Sequence, residues 1–410
     1  MRKNGINREL ISIEGGVCAP QGFRACGKYI GILPPHYLSD GTPREDLALI
    51  VGDNRYPTAC VYNRGGLCGA PIKVNKRHCS LGLARAVIVN SGIANIYGKD
   101  SEMQAETICR AVAAKLKTSA DEILIASTGM VGEPFPFSLI LDSVPALVEG
   151  LGSSKEYSVA AARAMMTTDR YVKEVSYSFF IGDYPCKIGA IFKGSAHVAP
   201  NMATTLCFLT TDVNISKEML TRALRSAVND TFNMLSVDGI SSPNDAVCIM
   251  TSKKAENYLI GSADTEYQKF EYALRETLFR ICLQIANDGA YSNKAIVYQV
   301  RGARSKSSAK AIAKTLAGSI GFKKSLANGE ISLSDVTCAF GAGEESMDVT
   351  RLQLSLSSKE KTIVLIEDGK RMLTKKESVE LVLNGEELRL SIDFQDGNFS
   401  ARAIGCDLAD

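Results

Sequence analysis

Short apolar runs flanked by turn residues predict buried strands through the first half of the chain. Residues 47–51 (LALIV) and 84–90 (ARAVIVN) have the β-branched content of such strands, and residues 123–126 (ILIA) form a third. A helix is predicted over 101–117, where Ile108, Ala111, Val112 and Leu116 recur on one face and Ser101 and Gln104 are spaced as a capping box. In the middle, 187–193 (KIGAIFK) and 204–213 (TTLCFLTTDV) read as strands. Helices follow over 216–229 (Leu220, Leu224, Ala227, Val228) and 266–287 (Phe270, Leu274, Leu278, Ile281, Ile285). A strand at 294–300 and a helix at 307–317 come next. From Asp335 the pattern reads as antiparallel strands at 351–357, 362–367, 378–383 and 387–394. Strands and helices alternate without a βα rhythm, which predicts α+β layering over a doubly wound sheet. No internal repeat or low-complexity linker interrupts the pattern.

Composition narrows the functional classes. The chain has 410 residues, 45% apolar and 22% charged, the balance of a globular protein with a sizeable core. Its 47 Lys+Arg against 45 Asp+Glu give a net charge of +2, so no general basic field draws it to nucleic acid or an anionic membrane. Residues 1–15 lack an apolar segment with a small-residue cleavage site, and no run of about 18 apolar residues occurs, so the expected location is the cytoplasm. Twelve cysteines are scattered without a C-x-x-C pair and many sit in apolar runs, as buried thiols in a reducing compartment do. Three histidines, His36, His78 and His197, show no metal-ligand spacing. No metal site is expected, and chemistry relying on a His base has few candidates.

One segment suits chemistry without histidine. Residues 193–206 read KGSAHVAPNMATTL, with small residues around Pro200 that let backbone approach backbone. Thr204 Oγ can attack the Ala203 carbonyl to form an ester that water opens, leaving Thr204 as a new N-terminus. Its α-amine, with an ordinary pKa of about 7.7–8.0, can then act as base for its own hydroxyl. Ala–Thr pairs also occur in ordinary buried strands, and spacing alone leaves that alternative open. Likewise, Ser127-Thr128-Gly129-Met130-Val131-Gly132 after a buried strand is either a plain turn or a set of exposed N–H donors.

The segment resembles the autocleavage site of the bifunctional ornithine acetyltransferase/glutamate N-acetyltransferase family, which cuts before the threonine of Met-Ala-Thr, here Met202-Ala203-Thr204. The resemblance continues through Ala19-Pro20-Gln21-Gly22-Phe23-Arg24-Ala25, Val89-Asn90-Ser91-Gly92-Ile93-Ala94-Asn95 and Ser127–Gly132. It extends to Met166-Thr167-Thr168-Asp169, Val237-Asp238-Gly239, Asn244-Asp245 and Gly405-Cys406-Asp407-Leu408. It implies an α/β/β/α sandwich of the self-processing N-terminal-threonine type. It implies cleavage into fragments 1–203 and 204–410 that stay co-folded around one active site, in a dimer of cleaved pairs. Thr204 is the implied nucleophile, and Thr128 and Gly129 the implied oxyanion hole. Lys193 and a threonine of the 167–168 pair, taken as Thr167, are the implied contacts to the substrate amino acid. The implied reaction, of the arginine-biosynthesis type, is ping-pong. N-acetylornithine acylates the threonine and glutamate accepts the acetyl group, with no cofactor.

Three departures bear on substrate. The family's Gly-Glu-Gly-Ala-Thr-Lys stretch is Gly289-Ala290-Tyr291-Ser292-Asn293-Lys294 here, so Ala290 stands where a substrate-holding carboxylate is expected and Tyr291 adds bulk. The family's polar tail past Gly-Cys-Asp-Leu has no match before Asp410, and its Asp-Pro-Asn-Trp-Gly-Arg stretch has none at all. Ile93 and Ile240 also replace polar family residues. The expectation is a self-cleaving acyltransferase with an altered donor or acceptor. The alternatives are an N-terminal-threonine amidohydrolase and a silent self-processed binding subunit.

Overall fold

Residues 9–36, 38–196, 206–240, 242–289, 292 and 294–408 are described by a computed structural model, and they group into two units. The first unit takes the chain to Gly194 and the segments ending at Val228 and Ile281. The second takes Asn229–Ile240 and the chain from Cys282.

Strands β1 (Ile11–Ser12), β2 (Phe23–Lys28) and β3 (Leu47–Tyr62) precede α1 (Ala70–His78), β4 (Leu83–Asn90), α2 (Ser101–Leu116) and β5 (Ile123–Ser127). Helices α3 (Phe137–Glu149) and α4 (Lys155–Ala164) lead into the hairpin β6 (Lys173–Ile181) and β7 (Tyr184–Lys193). Then come β8 (Leu206–Thr211), α5 (Lys217–Asp230), β9 (Leu235–Ser236), β10 (Ala246–Thr251) and α6 (Thr265–Asn287). The predicted strand at residues 47–51 is thus only the start of a 16-residue strand.

That length gives the first unit its layers. The sheet runs β1-β6-β7-β8-β10-β3-β4-β5, with β2 also on β3. The start of β3 pairs with β2 and β4, its end pairs with β10, and a register shift lies between Val51 and Tyr56. A strand irregular at such a point can serve two sheet halves. The halves face each other across one core, to which Phe23, Ile50, Val89 and Leu124 come from one side and Ile191, Phe208, Cys248 and Met250 from the other. Outside the first half, Leu49, Ile88 and Ile125 pack with Ile108 and Val112 of α2 and Ile140 and Val144 of α3. On the second half Cys207, Leu209, Val247 and Ile249 are buried on the opposite face, and α5 and α6 carry buried stripes including Leu220, Leu224, Phe270 and Leu274. The order helix–sheet–sheet–helix is the α/β/β/α sandwich of the α+β class expected from the sequence. Every residue of β5, β8 and β10 is buried, as strands covered on both faces require.

The second unit contains β11 (Ala295–Ala303), α7 (Lys306–Gly318), α8 (Ile320–Ala327), α9 (Leu333–Phe340), β12 (Gln353–Ser357), β13 (Thr362–Glu367), β14 (Lys370–Arg371), α10 (Lys376–Leu383), β15 (Glu387–Asp393) and β16 (Phe399–Cys406). Its sheet runs β14-β13-β12-β15-β11-β16-β9. Tyr298 and Val300 of β11 share one core with Ile312 and Leu316 of α7, Phe322 of α8 and Val336 of α9.

Three local expectations are corrected. Ser101 does not cap α2: Asp100 holds that position, and Ser101 Oγ donates to Tyr97 O at 2.8 Å instead. Residues 378–383 are helical, within α10. Their β-branched content suggests a strand, but Val379, Val382 and Leu383 turn inward at helical spacing while Leu381 is exposed. The C-terminal region is also mixed rather than antiparallel: Leu333–Phe340 is a helix, β11 runs parallel to β15, and β16 runs parallel to β9.

All twelve cysteines are free, and burial pushes Cys18 and Cys186 up to about 12, far from thiolate reactivity. Among the described residues, no helix is long and apolar enough to cross a membrane and no group of side chains is arranged to hold a metal ion.

Candidate active site

Four strand ends meet in the first unit. β5 ends at Ser127 and β7 at Lys193, while β8 starts at Leu206 and β10 at Ala246. The register puts Lys193 opposite Leu206 in an antiparallel pair, and Leu206 beside Ala246 in a parallel one. A small pocket opens at these ends, lined by Ser127, Thr128, Lys193, Leu206 and Asn244 among others. The chain that leaves at Lys193 therefore returns at Leu206 to the same place. Ala203 and Thr204 lie on that return, outside the described residues.

The turn after β5 presents hydrogen-bond donors to this pocket. Thr128 N–H donates to Asn90 O at 3.0 Å and Met130 N–H to Gly92 O at 2.8 Å, locking the turn against the end of β4. Gly129 sits between them at φ +127°, where a Cβ would collide with the Gly92 carbonyl, so only glycine fits. Its N–H donates to none of the described residues. The Thr128 hydroxyl accepts from Lys193 Nζ at 3.5 Å. Since the Thr128 N–H is already engaged, the donors this turn can offer a ligand are the Thr128 hydroxyl and the Gly129 N–H. An ammonium donating to a hydroxyl makes that hydroxyl a better donor in turn.

Beneath Lys193 lies a buried charge cluster. Lys193 is only 5% exposed. Asp169 Oδ1 accepts from Lys173 Nζ at 2.7 Å and from Gly194 N–H at 2.8 Å, and its Oδ2 accepts from Thr167 N–H at 3.0 Å. Neither side chain of the Lys173–Asp169 pair is exposed. Burial alone would raise the Asp169 pKa. The Lys193 and Lys173 ammonium groups, with the bonds from Lys173 and Gly194, outweigh it and hold the carboxyl below its ordinary value. Thr167 is half-buried above this carboxylate, whereas Thr168 is exposed.

The other wall comes from the segment before β10. Asn244, 4% exposed, donates from Nδ2 to Ser127 O at 2.9 Å, and its Oδ1 accepts from none of the described residues. Pro243 O and Asp245 O accept from Gly69 N–H and Asn63 N–H, which ties this wall to the chain after β3.

The structure thus brings Thr128 and Lys193 to one pocket, with Gly129 next to Thr128 in the turn, and joins Thr167 to the Lys193–Gly194 corner through Asp169. Asp169, Lys173 and Asn244 had no assigned role in the sequence reading. Asp169 and Asn244 were visible as motif members, while Lys173 carried no signal. In the second unit, Asp407 Oδ1 accepts from Ser292 Oγ and Lys294 N–H, each at 3.1 Å. Ala290 and Tyr291 lie outside the described residues. Ile93 is buried against the pocket's turn, bridging to Met130, while Ile240 is exposed.

The model of the ArgJ family matches residues 37–410. The chain belongs to the ArgJ family. It is 30% identical to the arginine biosynthesis bifunctional protein ArgJ of Caldanaerobacter subterraneus, over 97% of this chain and 96% of that one. It is 33% identical to the glutamate N-acetyltransferase of Methanothermobacter thermautotrophicus, over 98% and 96%. It is 34% identical to that of Methanosarcina mazei, over 97% of each. Membership in the ArgJ family makes this chain an acyltransferase of amino-acid metabolism.

Proposed function

We propose that the chain cleaves itself between Ala203 and Thr204 and then moves an acyl group between amino acids through an acyl-Thr204 intermediate. The observation that carries this is the meeting of Thr128, Lys193 and the start of β8 at one pocket, with Gly129 next to Thr128 in the turn. Two residues of chain span at most about 7 Å, which keeps Thr204 close to Leu206. In cleavage, Thr204 Oγ adds to the Ala203 carbonyl, the peptide nitrogen leaves as the Thr204 α-amine, and water opens the ester. In transfer, that amine takes the hydroxyl proton as Oγ attacks the donor's acyl carbon. The Thr128 hydroxyl and Gly129 N–H hold the oxyanion. The donor's amine leaves protonated, and the acceptor's amine then attacks the ester. Lys193 pairs with a substrate carboxylate, with Thr167 beside it.

The relatives' name glutamate N-acetyltransferase makes glutamate the first acceptor to try, and the family resemblance makes N-acetylornithine the first donor. Ala290 in place of a carboxylate favours a donor side chain less cationic than ornithine's, because a buried ammonium without a partner costs several kcal/mol. The products of cleavage are 1–203 and 204–410, held together by a sheet in which β7 and β8 flank the cut, in a dimer of such pairs. The twelve free thiols suit the cytoplasm.

Mass spectrometry of purified protein tests the first step: two fragments are expected, and one intact chain from Thr204→Ala. Cleavage persisting in Thr204→Ala would move the nucleophile elsewhere. Incubation with N-acetylornithine and with neutral N-acyl amino acids should add an acyl mass to the 204–410 fragment that disappears on adding glutamate. Loss to water alone would make the protein an amidohydrolase.

A further inference from the structure

Asp169 makes contacts that neither substrate binding nor cleavage as proposed assigns to it. Its two oxygens take three donors from three places: Thr167 N–H, Gly194 N–H and Lys173 Nζ. Thr167 is the proposed substrate contact. Gly194 follows Lys193 directly and begins the stretch that runs to the cleavage site. Lys173 begins β6, where it pairs with Phe192 of β7, so the cation is delivered by the strand next to the one that carries Lys193. Its ammonium also lies 4.9 Å from the centre of the Tyr171 ring, a further favourable contact for a buried cation. A carboxylate taken wholly out of water is stabilised in its charged form by such a partner, and in that form both oxygens are free of a proton and serve purely as acceptors.

We infer that Asp169, paired with Lys173, is a positioning residue that sets Thr167 against the Lys193–Gly194 corner, so that one buried carboxylate serves both self-cleavage and substrate binding. It touches no reacting atom. It acts by fixing two backbone N–H groups, one on the segment that holds substrate and one on the segment that is cut. The inference rests on the proposed function.

Asparagine separates the two duties of the residue. In Asp169→Asn one oxygen remains an acceptor while the other atom becomes a donor, so at least one of the two backbone N–H groups loses its partner. The accompanying Lys173→Met change removes the buried cation that would otherwise lose its carboxylate. The double variant Asp169→Asn/Lys173→Met loses one buried charge of each sign and keeps the Lys193 ammonium, yet still lacks the two-sided acceptor. Three quantities are compared in wild type, single and double variants: the thermal midpoint, the rate at which precursor becomes fragments, and kcat and KM for the carboxylate-bearing donor.

The expected result is a lowered midpoint in the single variant that recovers in the double. Cleavage should stay slowed at least about tenfold in both, and KM raised about tenfold or more with a smaller change in kcat. A double variant that cleaves and binds donor like wild type overturns the inference and leaves the pair a purely structural one. So does a loss of rate in the double variant that tracks its midpoint with no change in KM. Failure of the proposed function itself is recognised separately, because wild type would then neither cleave nor become acylated.

Discussion

The two sheets of this protein handle burial in opposite ways. In the first unit, β5, β8 and β10 are buried on both faces, and polar groups gather where the strands end: Ser127, Thr128, Lys193, Asn244 and, beneath them, Asp169 with Lys173. In the second unit strands β12 and β15 alternate, Leu354, Leu356, Leu388 and Leu390 facing the core and the residues between them less buried. The core there is apolar and aromatic, with Tyr298 against Phe322 at 6.0 Å. Its buried cation, Lys323, 2% exposed, donates to two backbone carbonyls, Ser236 O at 2.9 Å and Val237 O at 2.5 Å, and so braces β9 beside β16. The Asp169–Lys173 pair of the first unit is tied to Thr167 and to the Lys193–Gly194 corner at the pocket, whereas Lys323 of the second is held by main-chain carbonyls and does structural work. A strand covered on both faces leaves its ends as the places where groups meet both the dry interior and a ligand, and that is where the pocket lies.

Changes at the strand ends should therefore reach the chemistry, and changes in the second core should reach stability. The largest separation is expected from Thr128→Ala. Losing one oxyanion donor costs about 10²–10³ in kcat, with the thermal midpoint nearly unchanged. Steady-state kinetics of the processed variant decide it, and wild-type turnover would remove Thr128 from the oxyanion hole.

Phe322→Ala should do the reverse. Deleting a fully buried aromatic costs about 3–5 kcal/mol of stability, read from urea denaturation. Transfer activity per folded molecule should remain within about twofold of wild type. A fall in kcat far beyond the unfolded fraction would mean that the second core also shapes the site.

The smallest effect is in the pH dependence of stability, and its sign differs between the units. Asp169 has a folded pKa below its ordinary 3.8, so its contribution is complete above that value and is lost as pH falls through the lower folded value. Lys323 is pushed below the ordinary 10.5 by burial, so the unfolded chain binds more protons between the two values. The protein should gain stability as pH rises through that window. Urea midpoints of wild type against Asp169→Asn at acid pH, and against Lys323→Met at alkaline pH, measure each. A Lys323→Met protein with an unaltered alkaline slope would show that the lysine is not the group responsible.

Particular residues show what was legible beforehand. The strand at 123–126, the helix over 101–117 and the Thr128-Gly129 turn are local, since period, turn chemistry and short motifs report on a few neighbouring residues. The segment 378–383 misled because β-branched side chains suit a strand, while the core that takes Val382 and Leu383 selects a helix. The Asp169–Lys173 pair could not be read at all. Residues 166–174 (MTTDRYVKE) look like a solvated, charged stretch, and nothing in their order says that water is excluded from two of the charges.

The sequence by itself determined the α+β class, the apolar strands and the membership carried by the motifs from Ala19 to Leu408, because these depend on local composition and order. Only the tertiary structure decided that Lys193, Thr128, Asn244 and Asp169 share one end of the sandwich. It also decided which charges are stripped of water there. Strand pairing over more than a hundred residues of separation makes those neighbours, and burial, a property of the closed core, sets what each buried charge must do.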